Sequence, residues 1–395
     1  MNANVDVRPQ ATGVAAQPGA GKTRLAVPQT MKAWVLDGPG ELRLTDKAVP
    51  MPGVAEVLVH VDAVAICGTD LEVVHRGEPA LVQGGAPFHR NFTPGHEYVG
   101  TIAALGAGVD EFALGERVAV EIHAGCGRCE RCREGMYTAC LNYGMNYDGH
   151  DKGHRANGFT TDGGFAEYAV NHVNTLVRVP EGMNDEEATL IVTGGTAMYG
   201  IDVVGGLVAG QSVAVIGPGP IGLMVAAVAK ALGATPVVLI GTRQDRMRLE
   251  TGLKLGADVA IDIDACDPVA AVLELTGGRG AHYVFECSGA PPAIQSATRM
   301  TSRGGRICAV AFAHEPVLVD VARLVSNNIH LYGIRGEGRS ATRRAAALMA
   351  QQRFPAKLLH THSFPFNDVP GAIALAARRA PDVIKIVVSL RETPR

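Results

Sequence analysis

Four cysteines, Cys126, Cys129, Cys132 and Cys140, fall within "HAGCGRCERCREGMYTACLNYG", half of the eight in the chain. Their spacing, C-x2-C-x2-C-x7-C, offers four thiolates, enough to close a tetrahedral shell around one zinc without histidine or carboxylate. A shell closed in this way has no position left for water or substrate, so this metal is expected to be structural. A nucleic-acid zinc module would instead call for paired C-x2-C units or a C2H2 pattern among basic residues. Here the basic character is only local.

An open metal site must then come from other parts of the chain. "AICGTD" places Cys67 at the end of an apolar strand, and "TPGHEYVG" places His96 and Glu97 beside a turn. Taken alone, each reads equally as a buried thiol or a turn histidine. Together they offer soft, intermediate and hard donors of the kind zinc accepts.

A second chemistry lies in "VAVIGPGPIG", where Gly217, Gly219 and Gly222 form G-x-G-x-x-G between an apolar strand and an Ala-rich helix, with Pro220 and Ile221 opening that helix. The first glycine allows a tight turn, the second lets backbone approach a pyrophosphate, and the third lets helix and strand pack closely. The helix N-terminus adds free N–H groups. At the end of the following strand, where an NAD site usually carries an acid for the ribose 2′-hydroxyl, stand Gly241, Thr242 and Arg243. Without that acid, a hydroxyl and a guanidinium can receive a 2′-phosphate, so NADP is expected over NAD.

The elements that must position these residues fall into two patterns. From Met31 to about Pro180, short alternating or β-branched runs are punctuated by Gly and Pro: "EVLVHVDAVAI" (56–66), "YVGTIAAL" (98–105), "RVAVEI" (117–122) and "FAEYAV" (165–170). After residue 184 apolar strands alternate with helices, the pattern of a parallel sheet covered on both faces. "VIKIVVSL" reads as a terminal strand returning to the first domain.

The chain has 395 residues, 47% hydrophobic, and a formal net charge of −3, which suggests two or three domains and no basic excess for nucleic acid. No N-terminal apolar run suits a signal peptide or a membrane span, so the expected compartment is the cytoplasm, where clustered thiols favour metal over disulfides. Residues 1–30 read as a flexible extension. Their "AQPGAGKT" matches a P-loop only loosely, because no buried strand precedes it.

"CGTD", "PGHEYVG", the four-cysteine lobe, "GGFAEY", "GPGPIG" and "VFECSGAP", in this order, resemble the zinc-dependent medium-chain alcohol dehydrogenases, in particular the sorbitol, threonine and sugar dehydrogenase branch. The resemblance spans roughly residues 31–390. It implies an α/β chain with a GroES-like β-rich catalytic domain (31–183), a Rossmann doubly wound parallel sheet (184–334), and a C-terminal return to the catalytic domain (335–395). It implies a homodimer or homotetramer, an alcohol, polyol or sugar substrate, and two zinc ions, one catalytic and one structural. By position, Cys67 and His96 match catalytic zinc ligands, Glu97 a further or exchanging one, Thr69 the hydroxyl that relays the alcohol proton, and Asp70 a supporting hydrogen-bond partner. Glu72 stands where threonine dehydrogenases usually have histidine, which tilts the expectation towards a sugar or polyol. The usual third ligand falls on Val192 or Thr193, neither of which suits zinc. Glu97 is the nearest substitute, and Glu167 a weaker one.

Overall fold

The computed structural model describes residues 25–76, 91–142, 153–313, 315–336 and 339–391. The "AQPGAGKT" stretch and most of the loop at 75–91 lie outside the described residues. Leu25 already packs, its N–H donating to the Ala103 carbonyl, and Thr30–Leu36 pairs with Leu42–Ala48 as an antiparallel hairpin.

Two sheets organise the chain. One has seven strands and is built mainly from the first part of the sequence. Glu56–Ala65 lies at its centre, antiparallel to Glu97–Leu105, which pairs in turn with Arg117–Val120. Every residue of Glu56–Ala65 except His60 is buried, because the strand is covered on both faces. The late strands His360–Pro365 and Lys385–Ser389 join this same sheet, with Val387 opposite Ala65. "FAEYAV" is displaced from the expected strand. Regular pairing begins at Tyr168, because Phe165 is tied to Pro94 and Ala166 bridges Ala33.

The second sheet has six parallel strands in the spatial order Val259–Asp262, Val237–Gly241, Val213–Ile216, Ala281–Glu286, Thr301–Ala309, His330–Gly333. In chain order this is 3-2-1-4-5-6, the doubly wound Rossmann arrangement. Its strands are short apolar runs such as VAVI and VVLIG, as a doubly covered parallel sheet requires. The order reverses beside Val213–Ile216, which opens a crevice at the glycine loop. The sheets are joined through the helix Asp185–Met198, capped by the Asn184 side chain on the Glu187 N–H and buried along most of its length. A π-turn, Tyr199–Val204, follows it.

Candidate active site

Ile66 leaves the central strand after donating to the Ile386 carbonyl, which brings Cys67 to the sheet edge. The helix Gly68–Arg76 starts there, and its third residue does two jobs. Asp70 Oδ2 accepts the Cys67 N–H at 2.8 Å, while Oδ1 meets His96 Nδ1 at 2.9 Å. Asp70 is fully buried and His96 nearly so. With Nδ1 engaged, Nε2 is the nitrogen left to face a ligand, the usual function of a carboxylate behind a ligating histidine. Burial alone would discharge His96, but the adjacent Asp70 carboxylate outweighs it and raises its pKa well above the ordinary value. A cation on the donor face would compete with that proton.

His96 is placed by Gly95, whose φ of +94° turns the chain where any Cβ would strike the Phe165 backbone and ring. The Phe159 ring lies 4.7 Å from the imidazole. Glu97 follows as the first residue of its strand.

One donor atom each from Cys67, His96 and Glu97 lies within 4.8 Å of the others, so the three residues that the sequence named are brought together. The set of thiolate, imidazole and carboxylate suits zinc. Val192 is buried and apolar. Thr193 is turned towards the site, but its hydroxyl donates to Glu97 Oε1 at 3.5 Å. Glu167 instead accepts the Lys32 N–H at 2.7 Å and is not part of the group. Thr69 Oγ1 lies 3.7 Å from Cys67 Sγ.

Sequence reasoning missed Lys385. Its ammonium ion-pairs with Glu97 Oε2, and only 3% of its side chain is exposed. Burial disfavours its charge, but the Glu97 carboxylate more than compensates and raises its pKa. The residue sits in "VIKIVVSL", which read only as a strand; no local signal links it to a histidine turn almost 300 positions earlier. His123 was also missed. It is buried in the cleft wall, and burial first, then the Arg335 charge, lowers its pKa and keeps it neutral.

The four cysteines form the second donor group. Sγ–Sγ separations are 3.9 Å for Cys126–Cys132 and 4.0 Å for Cys129–Cys140. A tetrahedron of zinc–sulfur bonds near 2.3 Å needs about 3.8 Å, so the lobe fits. The Cys129 and Cys132 N–H groups point at Cys126 and Cys129 sulfurs, and Asn142 Nδ2 donates to Cys126. Burial pushes the Cys126 thiol up, but N–H donors, the Arg128 backbone first and then those of Cys129 and Asn142, outweigh it and bring it down to about 6.

The glycine loop lies across the same cleft, about 780 Å³ in volume, which Cys67, His96 and Lys385 line on one side and Gly219, Pro220 and Ile221 on the other. Gly217 has φ +97°, and a Cβ there would strike Ser288. A Cβ at Gly222 would overlap the Gly217 carbonyl, and one at Gly219 would meet nothing within 4 Å. Gly219 thus faces open space at the start of the helix Pro220–Ala231, whose N-cap supplies no side-chain acceptor. Backbone N–H groups there are placed for a phosphate. Gly241 ends its strand, Thr242 caps the next helical turn, and Arg243 is exposed beside it.

Residues 53–181 match the model of the alcohol dehydrogenase GroES-like domain, and residues 220–351 that of the zinc-binding dehydrogenases. The chain is 34% identical to a sorbitol dehydrogenase of Bacillus subtilis over 309 residues, 78% of this chain and 83% of the relative. It is 34% identical to an L-threonine 3-dehydrogenase of Bacillus licheniformis over 342 residues, 86% and 93% of the two. A solved zinc-binding dehydrogenase from Sinorhizobium meliloti 1021, bound to NADP, superposes with a TM-score of 0.79 at 27% identity, covering 92% of this chain and all of that one. The chain belongs to the zinc-dependent medium-chain dehydrogenases, oxidoreductases that move a hydride between an alcohol or polyol and a nicotinamide cofactor.

Proposed function

We propose that this chain oxidises a secondary alcohol of a polyol or sugar with NADP, using a zinc ion held by Cys67, His96 and Glu97. The observation that carries this reading is the convergence of three zinc donors and the glycine loop on one cleft. Zinc held there supplies Lewis acidity, lowering the pKa of an alcohol oxygen so that it ionises near neutral pH. The nicotinamide supplies the hydride acceptor.

The protein's own groups do the rest. Asp70 fixes the tautomer and direction of His96. Thr69, beside Cys67, takes the substrate proton and passes it towards the cofactor ribose. Lys385 holds the Glu97 carboxylate in a site otherwise too dry for an isolated charge. Glu72 lines the cleft from the helix after Cys67, where it can accept a hydrogen bond from a second substrate hydroxyl. Glycine at 241 and the guanidinium of Arg243 favour the 2′-phosphate.

The four-cysteine lobe holds a structural zinc, giving two ions per chain. The chain acts as a homodimer or homotetramer. The edge strand His330–Gly333 and the exposed Leu318, Val321 and Val325 in the stretch before it support that reading. The reading places the chain in the cytoplasm. No helix among the described residues is long and apolar enough to cross a membrane.

The test is a panel of polyols, aldoses and simple secondary alcohols with both cofactors, run beside zinc analysis. Polyol or sugar oxidation that is lost when zinc is chelated supports the reading. Turnover undiminished after complete zinc removal overturns it.

A further inference from the structure

We propose that Asp264 is the cofactor-discriminating acid of this chain: it reaches the ribose end of the site from the turn that follows the neighbouring strand and opposes Arg243. The inference rests on the reading that the adenosine ribose lies at the end of Val237–Gly241.

That strand pairs in parallel with Val259–Asp262, so Gly241 stands opposite Asp262. The Ile263 N–H donates to the Gly241 carbonyl at 2.9 Å and draws the next turn alongside. Asp262 Oδ1 then accepts the Asp264 N–H at 2.9 Å, which fixes the turn. From it, Asp264 Oδ2 accepts the Arg243 N–H at 2.8 Å. Thr242 is engaged too, since its N–H and hydroxyl both donate to Asp245 Oδ2, at 3.1 and 2.8 Å. The donors at the strand tip are thus directed to carboxylates.

A ribose diol donates hydrogen bonds and is compatible with a carboxylate acceptor. A 2′-phosphate is an anion; to reach the Arg243 N–H it must displace Asp264, and to be held by the guanidinium it must sit near that negative charge. The acid missing at Gly241 is therefore supplied from the turn after the next strand, and the preference for the 2′-phosphate is the difference between Arg243 and Asp264. Asp245 also caps the turn leading into Arg246–Lys254, so it carries a structural duty that Asp264 lacks.

The experiment is calorimetric titration of the full-length, zinc-loaded protein with 2′,5′-ADP and with 5′-ADP, for wild type, Asp264→Asn and Arg243→Ala. Asparagine keeps an oxygen to accept the Arg243 N–H, and thermal melts of each variant confirm an intact fold. Asp264→Asn should tighten 2′,5′-ADP about tenfold relative to 5′-ADP, the effect shrinking with added salt. Arg243→Ala should move the ratio the other way. A ratio unmoved by Asp264→Asn but lowered by Arg243→Ala overturns this inference and leaves the NADP reading standing. Failure of wild type to bind either fragment overturns both.

Discussion

The cysteine lobe and the cleft site are both donor clusters fit for zinc, and they are built in opposite ways. The lobe offers four like donors from one short stretch, and its N–H···S hydrogen bonds come from the same loop. The cleft offers three unlike donors from two strand ends, and one is already paired with a lysine from a third strand. A closed site contributes to folding whenever metal is present, because its ligands need only local order. An open site must be assembled by the whole sheet and leave a position unfilled. The lobe should therefore fail as a folding element and the cleft as a chemical one.

The largest effect is expected from breaking the lobe. Cys129→Ser should lower the melting temperature by about 10 °C or more, or prevent assembly, since structural zinc contributes folding energy directly. Calorimetry and size-exclusion chromatography of that variant check it. A folded, oligomeric Cys129→Ser protein that lacks only turnover would reverse the roles of the two sites.

Breaking the cleft should cut activity before it cuts stability. Glu97→Ala should lower zinc content from about two to about one per chain, with turnover down roughly a thousandfold, because a catalytic zinc takes three protein donors on average. Some stability should be lost as well, about 3 kcal/mol, because Lys385 is left buried without its carboxylate. Glu167→Ala, away from the cluster, should leave metal content unchanged. Zinc analysis by mass spectrometry, with denaturant melts, separates these outcomes.

Adding a donor sharpens the contrast. Thr193→Glu puts a carboxylate on the buried helix that now offers Glu97 only a hydroxyl. It should tighten the cleft zinc by about tenfold and slow its loss to a chelator, while the rate of lobe loss stays the same. Equal loss rates in wild type and variant would show that residue 193 does not reach the metal.

The smallest effect comes from a control outside both sites. Asp62 is buried, which raises its pKa, but His60, Arg391 and Thr101 hydrogen-bond it and bring the pKa below the ordinary carboxylate value. A depressed folded pKa adds stability that is present above the unfolded value, near 3.9, and is lost as pH falls through the folded one. Arg391→Ala should thus cost under about 1 kcal/mol near pH 7, since the arginine is half exposed. It should move acid unfolding to higher pH without altering zinc content, which circular dichroism along a pH series can follow.

How much the sequence disclosed follows the same division. The lobe and the glycine loop are contiguous, so their chemistry is written in spacing. Glu56–Ala65 and the six parallel strands show as apolar runs because burial on both faces leaves little choice of residue. The hairpin strand Leu42–Ala48 was not marked out, because its residues stay largely exposed and "LRLTDKA" alternates weakly. Lys385 and Asp264 were hidden for a different reason. Each meets a residue at or just past the end of another strand, and only the register of the sheets brings the partners together.

That register also bears on how the chain is made. The central strand Glu56–Ala65 obtains its neighbour Lys385–Ser389 from a stretch far later in the sequence, and that neighbour carries the partner of Glu97. While the ribosome still covers those residues, the first sheet has an open edge and Glu97 has no counterion. The Rossmann sheet has all six of its strands by Gly333, and the helix Arg339–Ala350 that shares its core follows directly, so this part can fold during synthesis, domain by domain. The catalytic sheet closes only once Lys385–Ser389 has emerged, when a contact of long sequence separation forms. Truncating a few residues before Lys385 would then yield a chain with a finished nucleotide-binding half and an unfinished catalytic one.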